Sequence, residues 1–398
     1  METENTIIHV LLISSTGQGN VNPMLRLGKC LASKGLLVTF STPQSHGKEM
    51  LKTNPNITNE PIQVGDGKLR FQFLDDEWDE NEHKGEGLQA YANPLERVGK
   101  KNLLLMIKEH EELGHPVSRL INNPFIPWIP EVGESLGIPC ALLWVQSCAI
   151  TIDVQLPCCP TLKYYEMPTL LSPTSPPYTI SLKTEMLRQQ KNLPNTFCIF
   201  METFQDLELE LIEYMSKICP IKPVGPLFKL SSILYPDSTI TGDIIKADDI
   251  CMDWLYTQPP SSLENRGKFV QWSPQEHVLA HKSIGCFVTH CGWNSSMEAI
   301  ANGVAVVGFP QFGDQVINAK FLEDVFGVGA RLRKGDNANI VLGRDEIEKC
   351  LVEVLSGSKG VEIKDNALKL KVKAEMVVAN KGSSQQNIED FVNQLRNL

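Results

Sequence analysis

The stretch Phe287–Gly303, FVTHCGWNSSMEAIANG, starts as an apolar strand, breaks at His290-Cys291-Gly292-Trp293 and resumes as a helix opening on Asn294 and Ser295. A strand followed by a glycine turn and a helix is half of a nucleotide-binding α/β unit. The free N–H groups of the first helical turn, with roughly half a positive charge, can hold a diphosphate. A plainer reading is also open. Ser295 and Glu298 have the Ser-x-x-Glu spacing of a capping box, and a histidine ending a strand can simply be a satisfied core residue.

Outward from this stretch the pattern repeats. VAVVGFP and the helical DQVINAKFLEDVFG follow it. At the other end of the chain IIHVLLIS, NPMLRLGKCLASKG and LLVTFST make a β-α-β unit, in which Pro23 suits a first helical turn and Gly35 a C-terminal cap. VSRLINN, CALLWVQS and TFCIFMET are further strand candidates, so a parallel doubly wound sheet is expected up to about residue 215. PIKPVGPLFKLSSILYPDSTITGD has Pro, Gly and Ser without helical periodicity and reads as a linker. The expected division is an N-terminal Rossmann-like domain over 1–222, a linker over 223–250, a second Rossmann-like domain over 251–375 and a closing helix over 376–398.

Composition narrows the partners. A chain of 398 residues, 42% of them hydrophobic, can bury two cores. A formal charge of -10, without a Lys/Arg run, argues against nucleic acid and anionic membranes and for a small ligand. Eleven scattered cysteines, with Cys158 and Cys159 adjacent but no Cys-x-x-Cys, suit reduced thiols rather than a disulfide frame or a metal site. With no signal peptide and no run of about 18 apolar residues, a cytoplasmic monomer is expected.

STGQGN, Ser15–Asn20, sits where a dinucleotide loop would. Gly17 and Gly19 give Gly-x-Gly, but Asn22 replaces the third glycine and no acid follows the second strand, so a nicotinamide site is the weaker reading and a tight strand-to-helix turn the stronger.

The segment Trp272–Gln315, WSPQEHVLAHKSIGCFVTHCGWNSSMEAIANGVAVVGFPQFGDQ, resembles the 44-residue signature box of plant family-1 UDP-glycosyltransferases. The flanks GQGNVNPMLRLGKCLASKG, INNPFIPW, LWVQSCA and KADDICMDWL extend the resemblance over most of the chain. They look most like the branch that forms glucose esters of carboxylic acids such as hydroxycinnamates, gallate and limonoids. The resemblance implies a GT-B fold, two facing Rossmann-like domains, with UDP-glucose in the second and the acceptor in the first. No metal or cofactor is implied. Trp272 would stack on uracil, with Ser273 and Gln275 near base and ribose. Glu298 would accept from the ribose hydroxyls. His290, Asn294 and Ser295 would contact the diphosphate, and Trp293, Asp314 and Gln315 the sugar. Phe125, Trp128, Trp144 and Gln146 are expected at the acceptor wall. The alternatives are core packing for Trp272 and for at least two of the wall residues, and a helix N-cap for Asp314.

Three departures from the family pattern bear on activity. Asn20 stands where the family has its general-base histidine, and Asn123 where an aspartate orients it, so neither half of that pair titrates. A carboxylic acid, with a pKa of about 4, is already ionised at neutral pH and needs no base. Between Ser262 and Gly267 roughly 60 residues of the family pattern are missing, more than one β-α-β unit, so the second sheet is expected to lack strands. The segment after Ile150 is also shortened. Inverting transfer of glucose to a small phenolic or related acid is the leading expectation; an impaired relic that binds without turnover is the alternative.

Overall fold

The computed structural model describes residues 7–58, 60–77, 88–148, 167–168, 178–236, 240–248, 250–257, 267–333 and 341–397. Cys158, Cys159, the shortened segment after Ile150 and the junction 263–266 lie outside the described residues.

Strands β1 (His9–Ile13), β2 (Leu37–Ser41), β3 (Ile62–Val64), β4 (Gly67–Phe71), β5 (Val117–Asn122), β6 (Cys140–Trp144), β7 (Ile199–Met201) and β8 (Ile221–Pro223) form one sheet. Its order is β3-β4-β2-β1-β5-β6-β7-β8. Every neighbouring pair is parallel except β3 with β4. The central strands are continuous apolar runs because helices cover both faces; all five residues of β1 are buried. β1 has β2 on one side and β5 on the other, so the strand order reverses there, the position at which parallel α/β sheets bind ligands beyond their carboxyl ends.

A second parallel sheet holds β9 (Cys286–Thr289), β10 (Ala305–Gly308) and β11 (Gly329–Arg331) in the order β11-β10-β9. Among the described residues it has three strands against eight. Among the described residues β9 is an edge strand, and Val288 on it is 52% exposed.

The stretch read as irregular differs from expectation. It contains β8 and the helix Leu227–Leu234, whose Leu227, Phe228 and Leu230 are buried where it packs on the helix Gln18–Ser33. A helix so short buries one narrow face, which leaves too little periodicity to read. The chain ends in Gly357–Val378 and then Ser383–Arg396. The last helix returns to the first sheet: Asn387 Nδ2 donates to the Pro223 carbonyl at 2.7 Å and Ser384 Oγ to Gly225 at 2.7 Å.

Candidate active site

The helix Trp293–Asn302 starts immediately behind β9, one residue earlier than the sequence suggests, with Gly292 at its N-cap. Ser295 therefore lies inside the first turn, no side chain caps the helix, and the capping-box reading is excluded. A Cβ at 292 would stand 2.4 Å from His290 Nε2, so a larger residue there would require the imidazole to shift.

Four sets of contacts radiate from this helix start. Ser295 and Glu298 share the Gln275 amide, whose Nε2 donates to Ser295 Oγ at 3.0 Å and to Glu298 Oε2 at 2.6 Å. Burial pushes Glu298 up to about 7; Arg26 opposes the rise and Glu276 adds to it. Arg26, from the helix after β1, lies 3.7 Å from Glu298 Oε1 and pairs with Glu276. Glu298 is thus a buried carboxyl group beside a cation.

Asn294 reaches the first domain. Its Nδ2 donates to the Gly19 carbonyl at 2.8 Å, which brings the STGQGN loop against the helix start. Gly17 has φ +94°, so the loop needs glycine for its turn into the helix Gln18–Ser33. Asn20 lies in that helix's first turn and donates to the Thr16 carbonyl at 3.1 Å. Asn123 is fully buried, and its Nδ2 donates to Ser15 Oγ at 3.0 Å and Ser14 Oγ at 3.3 Å. Each amide is turned to its own neighbours rather than joined in a dyad.

Trp293 is 3% exposed and its Nε1 donates to the Glu202 carbonyl at 2.6 Å. Its indole therefore anchors the helix on the first domain, and the backbone N–H at the helix start is what it can offer a ligand. On the remaining side, His290 and Asp314 interact electrostatically. Burial raises the Asp314 carboxyl, and Asn318 opposes this by donating to Oδ2 at 2.9 Å. Asn318 also donates to the Cys291 carbonyl at 3.0 Å, tying the helix Gln315–Lys320 to the turn. Asp314 does occupy the N-cap position of that helix, as the alternative reading expects, but its side chain makes no cap bond there. Gln315 is buried, and its Oε1 accepts from the N–H groups of Gln311 at 2.9 Å and Phe312 at 3.1 Å, which leaves the amide nitrogen for a ligand.

Trp272 is half-buried just before the helix Gln275–Ala280, its carbonyl accepting from Asp248 N–H at 3.0 Å; Ser273 follows it. Trp128 and Trp144 are core residues, 2% and 0% exposed, and Gln146 is buried; Phe125 packs at the edge of the Trp144 cluster. Sequence reasoning missed Arg26 and Glu202. Arg26 occurs in a helix read only for its amphipathic pattern, and nothing local marks it as the partner of residues 250 positions away.

Residues 249–372 match the family described as UDP-glucoronosyl and UDP-glucosyl transferase. The gallate 1-beta-glucosyltransferase 84A24 of Punica granatum is 47% identical, over 98% of this chain and 89% of its own length. That alignment runs over 468 residues against 398 here, so at least 70 of its positions have no counterpart in this chain. The cinnamate beta-D-glucosyltransferase of Fragaria ananassa is 45% identical, over 99% of this chain and 83% of its own. Among solved structures, Os79 from O. sativa in complex with UDP matches with a TM-score of 0.83 at 27% identity, over 97% of this chain and all of that one. Identity of this order across nearly the whole chain, on a GT-B framework with the signature segment at one helix start, leaves one conclusion: the chain belongs to the plant family-1 UDP-glycosyltransferases.

Proposed function

We propose that the chain transfers glucose from UDP-glucose to the carboxylate of a small phenolic or related acid, giving a 1-O-acyl-β-glucose. The observation that carries this is the set Gln275, Ser295 and Glu298 at one helix start, with His290 and Asp314 on its other flank. Named relatives acting on gallate and cinnamate support the acid as acceptor.

The ionised carboxylate oxygen of the acceptor attacks the anomeric carbon. The bond from that carbon to the diphosphate oxygen breaks, and UDP leaves with the electron pair. Attack opposite the departing group inverts the centre. N–H groups at the start of the helix Trp293–Asn302 stabilise charge on the departing diphosphate. No proton moves from the acceptor, which is why an amide at Asn20 is compatible with ester formation. Glu298 accepts from the ribose hydroxyls and Trp272 stacks on the base, while Asp314 and Gln315 hold the sugar.

The test is product analysis with UDP-glucose and matched acceptors. A benzoic acid should give a base-labile glucose ester, and the corresponding benzyl alcohol should give no glucoside. Asn20→His with Asn123→Asp should allow the alcohol to react, because the base and its orienting carboxylate are then both present. Equal turnover of acid and alcohol by the unaltered chain would overturn the proposal.

A further inference from the structure

Arg26 stands among residues that a charged side chain rarely accompanies. Met24, Leu25, Leu27 and Gly28 beside it in the helix Gln18–Ser33 are all buried. A guanidinium in such a run must meet its partners through tertiary contact. Its side chain is 18% exposed and lies over the Phe228 ring, 5.9 Å from the centroid. It also crosses the domain boundary, pairing with Glu276 and standing 3.7 Å from Glu298 Oε1.

The same helix makes a second contact with the donor side. Near its start the Gly19 carbonyl accepts from Asn294 Nδ2 at 2.8 Å. About two turns separate Gly19 from Arg26, and about one turn separates Asn294 from Glu298. Two helices, one from each domain, are thus joined at two points. One of those points is the carboxyl that the proposed function assigns to the ribose.

The charges around Glu298 oppose one another. Burial raises its carboxyl, Arg26 opposes the rise, Glu276 adds to it, the Gln275 amide opposes it and Asp243 adds again. Asp243 is itself held by Gln18 Nε2 at 3.1 Å and Asn22 Nδ2 at 2.8 Å. Arg26 faces Glu202 as well as Glu276, Glu298 and Asp243. Lys29 lies beside Arg26 and donates to the Ile240 carbonyl, and Lys229 interacts with Glu276. Ribose hydroxyls donate, so Glu298 must be ionised to receive them. The positive charge that favours this form comes from the first domain.

We propose that Arg26 is a positioning residue for the donor, holding Glu298 ionised and in place across the domain boundary, with Glu276 acting against it. The inference rests on the reading of Glu298 as the ribose acceptor and adds the control of its charge by the other domain. UDP-glucose binding to the full chain is measured by calorimetry from about pH 6 to about pH 9, beside Arg26→Gln, Arg26→Lys and Glu276→Gln. Arg26→Gln should move the midpoint of the rise in affinity upward by about one pH unit, weakening binding about tenfold at pH 7. Its affinity should approach that of the intact chain at the alkaline end, which a merely structural loss would not allow. Arg26→Lys keeps the charge and should restore the midpoint. Glu276→Gln removes a negative neighbour and should move the midpoint downward. Where Arg26→Gln fails to fold, this opposite shift decides the matter. An unmoved midpoint, or weakening by the same factor at every pH, would overturn the inference while leaving UDP-glucose binding, and so the proposed function, intact. Absence of binding by the intact chain at every pH would instead overturn the proposed function, and the inference with it.

Discussion

Glu298 is buried, 7% exposed, while its proposed role demands charge. Sugar hydroxyls donate, so the form that binds them is the ionised carboxylate, an acceptor on both oxygens. Burial holds the group up to about 7 in the free chain, so near neutrality binding must first remove a proton from part of the population. UDP-glucose affinity should therefore rise from about pH 6 to about pH 8, by calorimetry, and Glu298→Gln should flatten the profile. The free chain has the opposite sign. An acid whose folded pKa exceeds its ordinary 4.5 favours folding fully below that value and loses this contribution as pH rises through about 7. Glu202, also pushed up to about 7 by burial, acts in the same direction. A pH-independent affinity would contradict the role given to Glu298.

The helix Trp293–Asn302 is the element on which both halves of the molecule converge. The sequence shows its presence and position through the strand-turn-helix pattern, but it cannot distinguish a cap from a ligand site, because Ser-x-x-Glu serves both. The distinction depends on Gln275, which arrives from a separate helix 20 residues away from Ser295. The Trp293 bond to Glu202 was illegible for the same reason: 91 residues separate donor and acceptor. Removing it with Trp293→Phe leaves a buried carbonyl without its donor and should cost about 1 to 3 kcal/mol, seen as a lower denaturant midpoint. Donor affinity should fall with it, since the helix start loses its anchor. Unchanged stability would show that the indole bond is not what holds the element in place. Apolar strands such as β1 and β6 read clearly from sequence and TFCIFMET locates β7, whereas β3 and β8, three residues each, give too little alternation to be seen.

The whole molecule is asymmetric. Among the described residues one sheet has eight strands and the other three, with β9 at the edge of the smaller. Cross-domain contacts tie the two parts together: Asn294 to Gly19, Arg26 to Glu276 and Glu298, and the last helix to Pro223 and Gly225. The two-domain plan was legible because the signature segment and the first β-α-β unit lie at opposite ends of the chain. The cross-domain contacts were not, since they depend on how two sheets face each other. The account as a whole requires that this reduced second sheet still present a working sugar-nucleotide cradle. Calorimetric titration of the intact chain with UDP-glucose at about pH 8, beside Glu298→Ala, tests this most directly. One site per chain should be seen, weakened about 10- to 100-fold by the substitution, the worth of hydrogen bonds to a charged group. No binding to the intact chain, or equal binding by both, would contradict it.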